Sequence, residues 1–236
     1  MGEFAGMTAI VAELTDHGLT AMLRSLGMYV LTARSAREAL ALLSGHGAHF
    51  LLADALLPGT DGVALLRRVG EMRHMRVRPG RILTCVSGFP APSDFRVLAR
   101  PYGEAALKSA LWAELPENRP CPAVEAERIQ DLLNRLGIPA HRGRAYLTDA
   151  IAATLNDAAL AGQLSRRLYP ALSLRHGATA AQVERAIRHC IDVAWKRGSI
   201  EEQHRLFGNT IDAQRGKPTI GEMLARTADI LRLEES

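Results

Sequence analysis

The chain has 236 residues, enough for one large or two ordinary domains, and its 47% hydrophobic and 23% charged content is that of a water-soluble globular protein. A formal net charge of +4 is too small to argue for a polyanionic partner by itself. No apolar run approaches a membrane span, no secretory signal is visible, and the three scattered cysteines (Cys85, Cys121, Cys190) lack metal spacing and read as free thiols of a reducing cytoplasm.

The opening stretch through Met7 lies outside the periodic pattern, which begins at Thr8, and is read as an addition ahead of a start at Met7. From there strands and helices alternate. Ala9–Ala12, Tyr29–Thr32, Phe50–Ala53, Ile82–Val86 and Arg96–Ala99 read as strands. Leu19–Leu26, a Ser35-capped run to Leu43, Asp61–Met72 and Glu104–Leu115 read as helices. Such alternation implies a parallel sheet covered on both faces. Only seven residues, Gly88 to Asp94, separate Val86-Ser87 from Phe95. They span at most ~25 Å when extended, too short for the usual helical crossover.

Pro116 to Pro122 holds three prolines in seven residues, a linker signature. The expected organisation is an α/β domain over 8–115, a linker over 116–123 and a helical domain over 124–236. Helices are expected near Val124–Leu136, Arg144–Leu160, Gln163–Arg175, Ala180–Arg197, Glu201–Leu206 and Ile220–Leu231. Tyr169-Pro170 should kink the third of these or start a new helix. The fourth is the most informative. Val183, Ile187, Ile191 and Ala194 share one side with Cys190 beside them, while Arg185, Asp192 and Lys196 share the other. Between Arg175 and Arg197 there are five Lys or Arg and two acidic side chains, so basicity is local. A helix, a glycine-bearing turn at His176-Gly177-Ala178 and a second helix form a helix-turn-helix pattern, whose outward arginine forks can read guanine edges. The plain alternative is a solvated helix face. Trp195 sits with the buried stripe and reads as core, and His189 as a residue satisfied at the helix edge.

Val183-Glu-Arg-Ala-Ile-Arg-His189, Val193-Ala-Trp-Lys-Arg-Gly198, Gly137-Ile-Pro-Ala-His141, Leu168-Tyr-Pro170, Leu206-Phe-Gly208, Lys217-Pro-Thr219 and Ala228-Asp-Ile-Leu-Arg-Leu-Glu234 resemble the effector domain of the stage zero sporulation protein A family of response regulators. The resemblance is collinear from about Ile129 to Glu234. It implies that the helix from Ala180 enters a DNA major groove. Glu184, Arg185 and Arg188 then match contact positions, with Arg185 as guanine reader and Lys217 as a lysine reaching DNA. Ala181 and Gln182 stand where the family has serine and arginine, so Gln182 is a changed position of the DNA-binding set.

Phe50-Leu-Leu-Ala-Asp54 followed by Leu57-Pro58-Gly59 resembles the phosphoacceptor stretch of receiver domains, with Asp54 as phosphoacceptor. A strand-end aspartate that merely caps the next turn is the plain reading. The family's two acidic residues after the first strand match Glu13 and Leu14, leaving Glu13 and Asp54 as the carboxylates for a weakened Mg2+ site. The family's hydroxyl residue matches Val86, with Ser87 or Thr84 as substitutes. Its lysine matches Arg100, a planar fork in place of a point charge.

The fold expected is therefore an α/β receiver-like (flavodoxin-like parallel sheet) domain followed by an all-α helix-turn-helix domain. The resemblance implies a non-enzymatic, cytoplasmic transcription regulator with an atypical receiver, controlling sporulation or related developmental genes. Its implied partners are double-stranded DNA, a histidine kinase or phosphotransferase, RNA polymerase and a second copy on DNA, with no membrane. Two alternatives stay open: a pseudo-receiver that acts by protein interaction, and a phosphoryl-handling module.

Overall fold

The computed structural model describes residues 4–15, 18–72, 75, 77–208 and 216–234. Two compact units divide the chain between Pro116 and Glu117.

In the first unit, β1 (Thr8–Ala12), β2 (Tyr29–Ala33), β3 (Phe50–Asp54), β4 (Gly80–Val86) and β5 (Arg96–Arg100) pair in parallel in the order β2-β1-β3-β4-β5. This is the flavodoxin-like order expected of a receiver-type sheet. Strands covered on both faces must be apolar on both, and every residue of β3 is buried. Ile10, Leu51 and Leu83 pack into the layer of α2 (Ala36–His46) and α3 (Gly62–Glu71). Val11, Leu52 and Ile82 pack into the layer of α1 (Leu19–Ser25) and α4 (Glu104–Ala113). Ser35 caps α2 by accepting from the Glu38 N–H, and Asp61 caps α3 by accepting from the Ala64 N–H at 2.6 Å.

Residues 87–95 join β4 to β5 without a helix. Side chains hold this short connection instead. Arg67 of α3 pairs with Asp94 at 3.1 Å, and the Arg81 guanidinium lies 5.3 Å from the Phe95 ring centroid. The opening segment departs from its expected reading. Phe4 is only 1% exposed and stands edge-on to Phe50 and Trp112, at 6.2 and 6.1 Å between centroids. A lone aromatic has no periodicity, so its place in the core was invisible to pattern.

The second unit contains α5 (Ala123–Arg135), α6 (Arg142–Asn156), a 3-10 turn (Ala158–Gly162), a π turn (Leu164–Leu168), α7 (Tyr169–His176), α8 (Ala180–Arg197), α9 (Ile200–Phe207) and α10 (Ile220–Leu233). The helix expected over Gln163–Arg175 is two pieces, because Pro170 has no N–H to donate and is tolerated only in the first turn of α7. The helix expected to reach Leu160 stops at Asn156. There Asp157 turns extended, and its carboxylate accepts from the Ala159 N–H at 3.0 Å. Among the described residues no helix is long and apolar enough to cross a membrane.

Arginines staple this helical unit together. Arg144 of α6 donates to the Ile138 carbonyl at 2.8 Å and to the Gln130 side chain at 2.6 Å, locking α6 to α5. Arg232 of α10 donates to the Thr154 and Leu155 carbonyls at the end of α6. Arg167 takes both oxygens of Glu117, at 2.9 and 2.8 Å, and reaches Asp157 at 3.1 Å. Burial works against its charge, but the two carboxylates outweigh that and hold its pKa above the ordinary value. Arg175 donates to the Glu117 and Arg119 carbonyls, so residues 117–119 are tied to the segment that carries α7.

Glu117 and Asp157 are 6% and 1% exposed, so losing their common cation strands two buried carboxylates. Arg167→Ala is expected to cost about 3 kcal/mol or more. A urea unfolding curve checks this, and an unchanged midpoint would show that the cluster contributes nothing net.

Candidate nucleic-acid interface and phosphoacceptor site

The helix-turn-helix geometry is built from α7, a three-residue turn and α8. Gly177 ends α7 in the left-handed conformation (φ 59), where its N–H reaches the Ser173 carbonyl. Thr179 opens α8 with a capping box: its hydroxyl accepts from the Gln182 N–H, and the Gln182 side chain accepts from the Thr179 N–H. Asp149 of α6 steadies the end of α7, pairing with His176 at 2.7 Å and Arg175 at 3.3 Å.

The inner side of α8 fixes its outer side. Val183, Ile187, Cys190, Ile191 and Ala194 are buried. The approach to α6 is close enough to require a glycine. A Cβ on Gly143 would lie 2.3 Å from the Ala186 carbonyl oxygen and 2.7 Å from Cys190 Sγ. With the seam fixed, Gln182, Arg185, Arg188 and His189 are exposed and Glu184 is half-buried. The Gln182 carboxamide oxygen is engaged by the cap at 2.9 Å. His189 stands edge-on to His141 at 5.5 Å, and Trp195 packs edge-on against Phe207 at 5.1 Å.

Arg188 pairs with Glu184 one turn back, and Lys217 pairs with Asp192. Both pairs border a cleft of about 740 Å3, together with Tyr169 and Thr219. Burial first, then the Glu184 charge, push the Tyr169 hydroxyl up to about 12 against the opposing pull of Arg188, so it stays a neutral phenol. Arg185 makes no ion pair with a carboxylate among the described residues. Sequence reasoning placed Asp192 on the outer face but missed its hold on Lys217. The i, i+4 spacing of Arg188 and Asp192 could have signalled an alternating row of charge. The pairing with Lys217, 25 residues on, could not be read from spacing.

At the other site, Asp54 ends β3, and Gly62 lets α3 start against it: a Cβ there would meet the Asp54 carbonyl oxygen at 2.1 Å. The register pairs Ala12 with Ala53, which sets Glu13 beside Asp54 at the carboxyl edge of the sheet. Both are 7% exposed, while Leu14, in the second acidic position, is 61% exposed. Arg100, at the end of β5, donates from Nη1 to Asp54 Oδ2 at 2.7 Å, and the Leu56 N–H donates to Oδ1 at 2.9 Å. Ser87 does not offer its hydroxyl to Asp54; it donates to the Arg100 carbonyl at 2.9 Å. Thr84 is Asp54's partner in the β3–β4 register and is buried. Burial pushes the nearby Cys85 thiol up, with Arg100 pulling it down and Asp54 adding to the rise.

This donor set is a weakened one for an octahedral Mg2+, which is usually held by one or two carboxylates with water completing its shell. Among the described residues Glu13 and Asp54 are the two carboxylates that would hold it; Arg100 and the Leu56 N–H already engage the Asp54 oxygens, and Leu14 stands where the family has a second acidic residue. Among the described residues no group of three His, Cys, Asp or Glu could hold a metal. Asp16, three residues after Glu13, lies outside the described residues.

Residues 129–231 match the family profile described as "Sporulation initiation factor Spo0A C terminal". Among solved structures, the chain is 26% identical to a "probable two-component system response regulator/GGDEF domain protein", over 44% of this chain and 47% of that one, with a TM-score of 0.39. It is 24% identical to the receiver domain of a sensor histidine kinase from Pseudomonas aeruginosa PAO1 with a magnesium ion coordinated in the active site cleft, over 47% and 98%, with a TM-score of 0.41. It is 22% identical to the signal receiver domain of a signal transduction histidine kinase from Syntrophus aciditrophicus, over 50% and 96%, with a TM-score of 0.42. The chain spans about half the length of the first of these.

Because the Gly143 contact sets how closely α8 lies on α6, Gly143→Ala is expected to lower stability by about 1–3 kcal/mol. Chemical denaturation read by far-UV circular dichroism checks this. Wild-type stability in the variant would mean that α8 can move outward without cost.

Proposed function

We infer that this Spo0A-like response regulator, a receiver-type sheet followed by a Spo0A C-terminal domain, is a sequence-specific DNA-binding transcription regulator of sporulation or related developmental genes. The observation that carries the reading is the division of α8. A buried apolar seam holds Arg185 and Arg188 at the exposed surface, at the start of the second helix of a helix-turn-helix. Arg185 reads guanine as a bidentate fork, Glu184 orients Arg188, and Lys217 contacts a phosphate. Gln182 holds the first turn in shape. Duplex DNA is the principal partner, a second copy binds beside the first, and RNA polymerase receives the output.

In this reading the receiver unit works with Asp54 held by Arg100. An incoming phosphoryl group would have to displace a guanidinium from the attacking carboxylate, and a magnesium ion would rest on Glu13, Asp54 and water with Arg100 competing for Asp54. A protein-interaction role for this unit, with a kinase, a phosphotransferase or another regulator as partner, is the second reading. It is favoured by the same ion pair and by the missing helix between β4 and β5.

Arg185→Ala is expected to weaken binding to a guanine-containing duplex by about 1–3 kcal/mol and to relax the preference for that guanine. Fluorescence anisotropy with matched and guanine-substituted duplexes measures both, and equal, sequence-blind binding by the two proteins would remove the reading. Acetyl phosphate with Mg2+ is expected to leave Asp54 unmodified in the intact mass spectrum, and Asp54→Asn to leave DNA affinity unchanged. A magnesium-dependent phosphoryl adduct at Asp54 that tightens DNA binding would restore the conventional phosphoacceptor.

A further inference from the structure

Glu184, Arg188 and Asp192 follow one another at intervals of four along α8, so they form a row on its outer surface. Lys217, from the segment just before α10, extends that row by pairing with Asp192 at 2.5 Å. The signs alternate: Glu184 negative, Arg188 positive, Asp192 negative, Lys217 positive. The row sums to zero, although two of its members are cations placed to meet DNA. The pairs are partly solvated, with the Lys217 and Asp192 side chains 47% and 33% exposed, so each is an exchangeable contact.

We propose that Asp192 is a specificity-determining residue of the DNA face, because it makes the phosphate contact of Lys217 conditional on correct docking. The inference rests on the DNA-binding reading above. Non-specific association is dominated by lysine and arginine contacts to phosphate, each releasing counterions. In a loose, unregistered encounter no phosphate is fixed near Lys217, and the lysine stays on Asp192. When Arg185 finds its base edge, the register brings one phosphate to the row and Lys217 exchanges carboxylate for phosphate. Asp192 therefore withholds one charge from wrong sites while costing the right site only a solvated ion pair. Glu184 acts on Arg188 in the same sense, but its proposed part in base contact makes it a poorer probe.

The test is a salt series of binding curves for wild type, Asp192→Asn and Lys217→Ala on two duplexes. One is selected by the wild-type chain from a randomised pool; the other is a scrambled duplex of equal length and composition. For Asp192→Asn, the scrambled duplex should gain about one unit of salt slope and about eightfold in affinity near 0.1 M salt, one phosphate contact. The selected duplex should keep its slope, and the specificity ratio should fall. Lys217→Ala should lose about one unit of slope on the selected duplex and none on the scrambled one. Equal changes on both duplexes, no change, or a loss on both for Asp192→Asn would overturn the proposal. So would a slope lost by Lys217→Ala on the scrambled duplex, which also decides the matter if the asparagine variant does not fold. If the wild-type chain selects no duplex, the DNA-binding reading itself falls; if it selects one and these slopes fail, only the role of Asp192 does.

Discussion

The contact between α6 and α8 is the constraint on which the rest of the effector unit depends. Two helices come together where Gly143 offers no side chain, and the seam from Val183 to Ala194 closes against the core. A helix held by one side has no freedom about its own axis, so burial decides which residues water sees. Arg185 is positioned by that packing without an ion pair of its own among the described residues, and Arg188 by the packing together with its pair with Glu184. The polar geometry is a consequence of apolar packing, and a base-reading fork needs that kind of rigidity because bidentate contacts tolerate little angular error.

Charge in this unit is divided between two uses. Arg144, Arg167, Arg175 and Arg232 donate to carbonyls and buried carboxylates and join helices to one another. Arg185, Arg188 and Lys217 stand at the surface. Composition counts both sets alike, which is why net charge carried so little information about a partner. The planar guanidinium suits the first use: it satisfies two or three acceptors at once, where an ammonium would leave some orphaned.

Much of this was legible in the sequence for physical reasons. The period of the apolar residues in α8 is the period of the helix, and the alternation of short apolar runs with amphipathic ones dictates a covered parallel sheet. The short path from Ser87 to Phe95 cannot hold a helix, and none is there. Pro170 marked the break before α7 in advance. What escaped was whatever depends on a single residue meeting a distant one. Phe4 in the core, Ser87 turned to the Arg100 carbonyl, and Lys217 on Asp192 are contacts without periodicity. Asp54 shows both sides. Its place at the end of a buried strand followed from pattern, but the occupation of both its oxygens needed coordinates.

The Arg100–Asp54 pair has a consequence for what kind of information such a regulator carries. A carboxylate awaiting modification gives a protein two populations, and the ratio between them reports on the environment. Under the reading in which Arg100 keeps Asp54 unmodified, there is one. Under the reading proposed above, the number of copies made is then the variable the genome reads, and the moment of synthesis sets the clock for the genes downstream.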